Sequence, residues 1–392
     1  MNKIGLSVFI KRLIFFGLSL SLSWSSFGQE SDSVYSFPFH LESRLLVFSG
    51  EMNGQATNFA FDTGAALGLA GKNFSNTKRV KIKGKRMTIR DSNSETKKVR
   101  TAYTDEIKIG EFKISNVKSL IYDMSYLSCQ DFYLLGSNVI KLLNWEIDFE
   151  KMIVRVSQKP FPIKDSYLAL PVSYKNTRPY TELSFQGINL SNILIDFGYT
   201  KVLDLDSSSE LIRKYIQNKD NQGFTHASLN HSTGAISQKT EETINILLDT
   251  LALGNGAVYG IPTEFMETNH SKLGLAFFST LSKKTIINNS ESTYYLDLKN
   301  ESPKFLDTKF FNLRYSEGKV LVSGKSLEQI SSHQEIEIGE EVISVNGIPM
   351  SDFSDECAFV NWYYRFSEDK ISIITKSGKN LSFEPISLLN SF

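Results

Sequence analysis

From Ser36 to about Leu298 the apolar residues fall in short runs or alternate with polar ones, and Asn, Gly, Ser and Asp punctuate them every few positions. A period of two rather than 3.6 predicts strands, so this stretch reads as β-structure. The segment LESRLLVFSGEMNGQATNFAF reads as two strands joined at Asn53-Gly54, the dipeptide that best accepts the positive φ angles of a tight hairpin. Helical periods are short: Ser207 to Asn218 places Leu211, Ile212 and Tyr215 at helix spacing behind a Ser-rich cap.

The same pattern occurs twice. Asn58 to Leu69, NFAFDTGAALGL, runs an apolar strand into Asp62-Thr63-Gly64; Asn192 to Leu203, NILIDFGYTKVL, runs another into Asp196-Phe197-Gly198. Each loop is followed by a strand ending at a Gly turn, Asp105 to Gly110 and Asp249 to Gly254. Each then reaches a Leu-Gly step and a helix-like run, Leu134-Leu135-Gly136 with SNVIKLL and Lys272-Leu273-Gly274 with AFFSTLS. The intervals from Asp to the last Gly are 74 (136 − 62) and 78 (274 − 196) residues, which predicts an internal duplication. A third unit starts near Lys304: GEEVISVNGIPMSDF gives a strand with Val342, Ile343 and Val345, a turn at Asn346-Gly347, and a helix carrying Phe353, Cys357 and Val360. KISIITKSGKNLSFEP closes it with a hairpin turned at Ser377-Gly378.

The duplicated loops carry the candidate chemistry. Two buried carboxylates a few Å apart cannot both ionise easily, so a facing Asp62 and Asp196 share a proton. One acts as general base on a water while the other hydrogen-bonds the scissile carbonyl, which hydrolyses an amide without metal or covalent intermediate. Gly64 lets backbone N–H groups approach Asp62, Thr63 offers a hydroxyl across the interface, and Gly136 lets a strand pass close behind the loop.

With 392 residues there is chain enough for two or three domains. Lys+Arg and Asp+Glu balance at 43 each, so electrostatics gives no reason to expect nucleic acid or an anionic membrane as partner. Lys3, Lys11 and Arg12, the apolar run Leu13 to Leu22, and Ser26-Phe27-Gly28 read as an export signal over residues 1–28 with cleavage near Gln29; a retained N-terminal anchor is the alternative. No other run reaches the ~18 apolar residues of a membrane helix. Cys129 and Cys357 lie far apart in sequence and in different units, so no structural disulfide is expected, and two thiols alone make no metal site. His226 and His231 have no accompanying ligands at metal spacing and are expected in a solvent-exposed loop of the second flap region; neither a metal nor another cofactor is expected. No Gly-x-Ser-x-Gly elbow suggests serine chemistry.

Asp62-Thr63-Gly64-Ala65 after an apolar strand, followed by Leu134-Leu135-Gly136, resembles the active-site loop and later hydrophobic-hydrophobic-Gly element of retropepsin-like and pepsin-like aspartic proteases. IEIGEEVISVNGIPMSDF resembles the core of a bacterial PDZ domain, and together the units are similar to exported aspartyl-protease-plus-PDZ proteins of Bacteroidetes-type bacteria. The resemblance implies a mainly β fold of two aspartic-protease-like β-barrel lobes, 33–160 and 161–300, with flap hairpins over the acids, then a small α+β PDZ-like domain at 304–392. It implies a catalytic pair Asp62 and Asp196, supported by Thr63, Gly64, Ala65, Gly198 and Gly136, and a peptide or unfolded protein as substrate, with periplasmic or secreted location. Phe197 and Lys272 depart from the pattern. A Phe at 197 has no side-chain hydroxyl for the network and is expected to desolvate Asp196, raising its pKa. Two readings follow: an aspartic endopeptidase with impaired activity, or a protease-derived protein that binds peptides through its cleft and PDZ module without cutting them. In the PDZ-like unit, Phe310-Phe311-Asn312-Leu313 stands where a carboxylate-binding loop would lie, with core packing the alternative.

Overall fold

In the computed structural model, residues 33–42, 45–91, 93–124, 129, 131–234, 236–268, 270–300, 311–363, 365 and 370–386 are described. The export-signal segment 1–28 and Phe310 lie outside them. From Val34 onward the chain packs as one compact unit.

The fold is mainly β, with two aspartic-protease-like lobes. The first begins with the hairpin Leu45–Met52 and Gln55–Phe61, turned at Asn53 and Gly54 with φ of 50° and 74°. Gln55–Phe61 then runs parallel to Phe132–Leu135, which bridges Gly68–Ala70, which lies parallel to Phe112–Ile121. Phe112–Ile121 pairs with Thr96–Ile109, and that strand returns to Leu45–Met52, closing the circuit.

The second half repeats every step. Arg178–Phe185 pairs with Ile188–Asp196, which is parallel to Lys272–Gly274. Lys272–Gly274 meets Leu203–Asp206, which is parallel to Gly256–Met266. Gly256–Met266 pairs with Gln238–Leu253, which returns to Arg178–Phe185. Identical circuits built from weakly similar sequences are what a duplication leaves when packing is retained and residues drift.

A sheet shared by both halves fixes how the loops meet. Its order runs Leu168–Pro171, Thr293–Leu298, Ser282–Asn288, Asn144–Asp148, Ile153–Ser157 and Tyr35–Glu42. The turn residues Met152 and Ser292, 140 positions apart (292 − 152), both have positive φ, 54° and 53°. At that same offset Glu146 corresponds to Ile286, and the two pair with each other across the seam. A residue facing its own counterpart marks a local two-fold axis, and the same axis brings the two Asp-x-Gly loops together. Phe61, Trp145, Phe197 and Phe278 fill the core beneath, with centroid separations of 5.1 Å for Phe61–Trp145, 5.7 Å for Phe61–Phe197 and 4.7 Å for Phe197–Phe278.

The second half carries the helices Glu210–Asn221 and Leu275–Leu281; in the former, Ser209 Oγ accepts from Ile212 N at 3.2 Å. Ile212 and Tyr215 face inward, whereas Leu211 points to solvent. The C-terminal unit has its own core around Phe311, Val322, Val345, Phe359 and Ile373. Phe311 stacks on Phe383 at 3.9 Å and Leu313 is buried, so both are packing residues. Ile343 is exposed because the register shifts between Val342 and Ser344, and Phe353 precedes the helix Glu356–Tyr363 rather than lying on it. The unit joins the second lobe through Lys319–Ser326, which pairs with His226–Thr233.

Two further expectations are corrected. Cys129 and Cys357 form a disulfide, because the C-terminal unit folds back beside the first lobe and removes in space the 228 residues between them. His226 and His231 lie on a strand of the second flap, not in an exposed loop. His226 is buried with Nε2 against Ser326 Oγ at 2.9 Å, and His231 Nδ1 meets Thr240 Oγ1 at 3.1 Å.

Candidate active site

Each Asp sits at the tip of a loop held from below by its own lobe. In the first, Asp62 N donates to Leu135 O at 3.1 Å and Ser137 N donates to Ala65 O at 2.8 Å. Ser137 Oγ donates to Thr63 O at 2.5 Å. In the second, Gly274 N donates to Val202 O at 2.9 Å and Leu275 N to Tyr199 O at 2.7 Å. Gly136 and Gly274 are the crossing points. A Cβ on Gly136 would fall within 3.0 Å of the Leu67 and Gly68 backbone, and one on Gly274 within 3.0 Å of the Lys201 carbonyl, so only Gly permits the strand to pass.

Local N–H groups aim the carboxylates. Asp62 Oδ1 accepts from Gly64 N at 2.8 Å and Ala65 N at 2.9 Å; Asp196 Oδ1 accepts from Gly198 N at 3.0 Å. Across the seam the arrangement is reciprocal: a Cβ on Gly64 would strike the Asp196 carboxyl, and a Cβ on Gly198 would strike the Asp62 carboxyl. So placed, the Asp196 side chain favours the protonated form of Asp62 through both its charge and its hydrogen-bonding reach. Burial raises the Asp62 pKa well above the ordinary 3.8, the Asp196 charge raises it further, and the N–H groups of Ala65 and Gly64 oppose the rise.

Thr63 ties the lobes together. It is fully buried; its Oγ1 donates to Ile195 O at 2.7 Å and accepts from Phe197 N at 3.0 Å. The local two-fold calls for the mirror pair, a hydroxyl at 197 reaching the Phe61 carbonyl and the Thr63 N–H, and the Phe side chain supplies none. Its ring is instead fully buried against Phe61 and Phe278. Phe197 thus enters the network through its backbone N–H alone, and its side chain adds no hydroxyl, as expected.

Two flap hairpins lie above. Met87–Arg90 pairs with Thr96–Ile109, and His226–Thr233 with Gln238–Leu253. Their tips are fastened by Asp91, whose Oδ2 accepts from Ile236 N at 3.1 Å, Ser237 N at 2.9 Å and Ser237 Oγ at 2.8 Å. Asn93 Nδ2 adds a bond to Ser237 O at 3.2 Å. Neither residue was legible in advance, because a carboxylate in a tip can cap its own turn, as Asp91 Oδ1 also does for Asn93 N and Glu95 N.

With the geometry in place, comparison with known proteins agrees. Residues 48–139 match the model of the aspartyl protease family. The first lobe is an aspartyl-protease-like domain. The match spans the loop with Asp62, the first flap and Leu134-Leu135-Gly136, and stops before the second lobe. No curated protein matches the chain. Among the described residues no group of three or more His, Cys, Asp or Glu is placed to hold a metal ion, and no helix is long and apolar enough to cross a membrane.

Proposed function

We propose that this protein is an exported aspartic endopeptidase in which Asp62 and Asp196 share one proton and hydrolyse peptide bonds with an activated water. The observation that carries this reading is the reciprocal seating of Gly64 and Gly198 against the opposite carboxyl groups. An extended polypeptide lies between the lobes under the flaps; the ionised carboxylate takes a proton from the water while the protonated partner hydrogen-bonds the carbonyl. The amide becomes a tetrahedral intermediate, and the proton passes to the leaving nitrogen as the C–N bond breaks. Thr63, Gly64, Ala65, Gly198 and Gly136 position the pair. We assign residues 33–160 and 161–300 to the two lobes, 304–392 to a PDZ-like peptide-binding unit, and the periplasm or exterior as the site of action.

Phe197 favours a second reading, a protein that holds peptides without cutting them. Losing one supporting hydrogen bond costs about 1 to 3 kcal/mol, roughly tenfold to a hundredfold in rate, which lowers activity without removing the mechanism. The test is incubation of an unfolded polypeptide with wild type, Asp62→Asn and Phe197→Thr. Fragments from wild type, none from Asp62→Asn and a faster rate from Phe197→Thr support hydrolysis. Equal background from wild type and Asp62→Asn leaves the binding reading.

A further inference from the structure

The two lobes present opposite chemistry on equivalent faces beside the dyad. In the first lobe Leu69 pairs with both Leu134 and Leu120, and these three belong to one apolar cluster. The same pairing positions in the second lobe hold Asp204, Lys272 and Glu264. Two residues before Leu134 stands Phe132, in that apolar cluster; two before Lys272 stands His270. Burying such groups is costly compared with leucines of similar volume, so drift alone explains the exchange poorly.

The ionic cluster is not closed on itself. Tyr199 Oη donates to Asp204, and Lys201 pairs with Glu264 at 2.5 Å, so both anions are engaged. Lys272 is the second cation, and its charge acts on Asp204, its partner across the strands, without a hydrogen bond. It is only 9% exposed, and among the described residues no hydrogen bond or ion pair closes on its ammonium, which lies 4.9 Å from the centre of the Tyr199 ring. Lys272 lines a cavity of about 450 Å³ that reaches Gly198 of the second loop; on the first-lobe side Leu45, Tyr122 and Met124 line it together with the polar Asn93, Ser94 and Asp123. An ammonium that no acceptor among the described residues holds, on the wall of a cavity beside two candidate catalytic acids, can turn its donors to an incoming anion.

We propose that the second-lobe wall of the cleft is a carboxylate subsite centred on Lys272, so that the polypeptide bound has an apolar residue toward the first lobe and a carboxylate toward the second. This deepens the endopeptidase reading by naming its substrate class. The carboxylate comes from an Asp or Glu side chain or from a chain terminus.

The experiment measures binding of fluorescent octapeptides to the full mature chain carrying Asp62→Asn, which removes cleavage. The central pair is Leu-Glu, Leu-Gln or Leu-Leu, and a fourth peptide ends at the Leu with a free acid or an amide. The proposal expects Leu-Glu, or the free-acid terminus, to bind about tenfold tighter than its neutral counterpart, with the difference lost when Lys272→Met is added. Which of the two gains identifies the source of the carboxylate. Equal affinities for Glu, Gln and Leu with no gain from the free acid, or no binding of any peptide, overturn it. Cleavage by wild type without acidic preference removes the subsite and leaves hydrolysis standing; acid-selective binding without cleavage does the reverse.

Discussion

Gly198 has no room for a side chain because the Asp62 carboxyl occupies the space. In Gly198→Ala the carboxyls must separate, and a displacement of about 1 Å at reacting groups costs roughly a hundredfold; we expect cleavage to fall at least that far while circular dichroism stays that of the native β fold. Asp62 carries a stability signature as well. Its folded pKa is raised above the ordinary 3.8, so the folded state binds the proton more tightly than the unfolded one. Its contribution is fully present below that ordinary value and is lost as pH rises through the folded pKa. Asp62→Asn, which cannot ionise, is therefore expected to melt above wild type at pH 7, with the gap closing at about pH 4. That Asp62 stands at the end of an apolar strand with Thr63 and Gly64 in the turn was legible in the sequence, but a lone Asp-Thr-Gly is usually an ordinary turn, and only the second copy at Asp196 pointed to a pair. Lys272 was visible too, as a break in an apolar-apolar-Gly pattern, but its meaning needed the pairing register that sets it opposite Asp204.

At the scale of elements, the flap tips are fastened chiefly through Asp91, with Asn93 adding bonds to Ser237 and Ser232. Asp91 accepts three hydrogen bonds from the opposite tip, and an ionised acceptor makes each stronger than a neutral one. Asp91→Ala is expected to raise KM by about tenfold, with kcat falling less, since the tips must then be ordered by the substrate itself. Steady-state kinetics on one peptide checks the split; a fall in kcat at unchanged KM contradicts it. Hairpins were the most legible elements, since Asn53-Gly54 and Asn346-Gly347 both adopt positive φ. Directions of single side chains were less so. Leu211 fits a helical stripe with Ile212 and Tyr215, yet adjacent helical positions lie about 100° apart and only the latter two reach the core. Ile343 breaks the alternation because a register shift adds a residue that no composition signal announces.

Over the whole molecule, the duplication explains the symmetric seam, and the C-terminal unit adds an asymmetric brace. That unit continues the second flap's sheet through Lys319–Ser326 and is joined to the first lobe by Cys129–Cys357. The disulfide closes a loop with a sequence separation of 228, so removing it with Cys357→Ser is expected to cost about 2 to 5 kcal/mol, read as a lower denaturant midpoint. An unchanged midpoint contradicts a bracing role. The pairing was not legible, because distance along the chain says nothing about which surfaces of separate units meet. The central claim is that the two acids act as one titrating pair. Its most direct test is a carboxyl-carbon NMR titration of Asp62 in wild type and in Asp196→Asn. The account predicts that Asp62 titrates well above the ordinary carboxylate range in wild type and shifts downward once the neighbouring charge is gone; an Asp62 that titrates at the same pH in both proteins contradicts it.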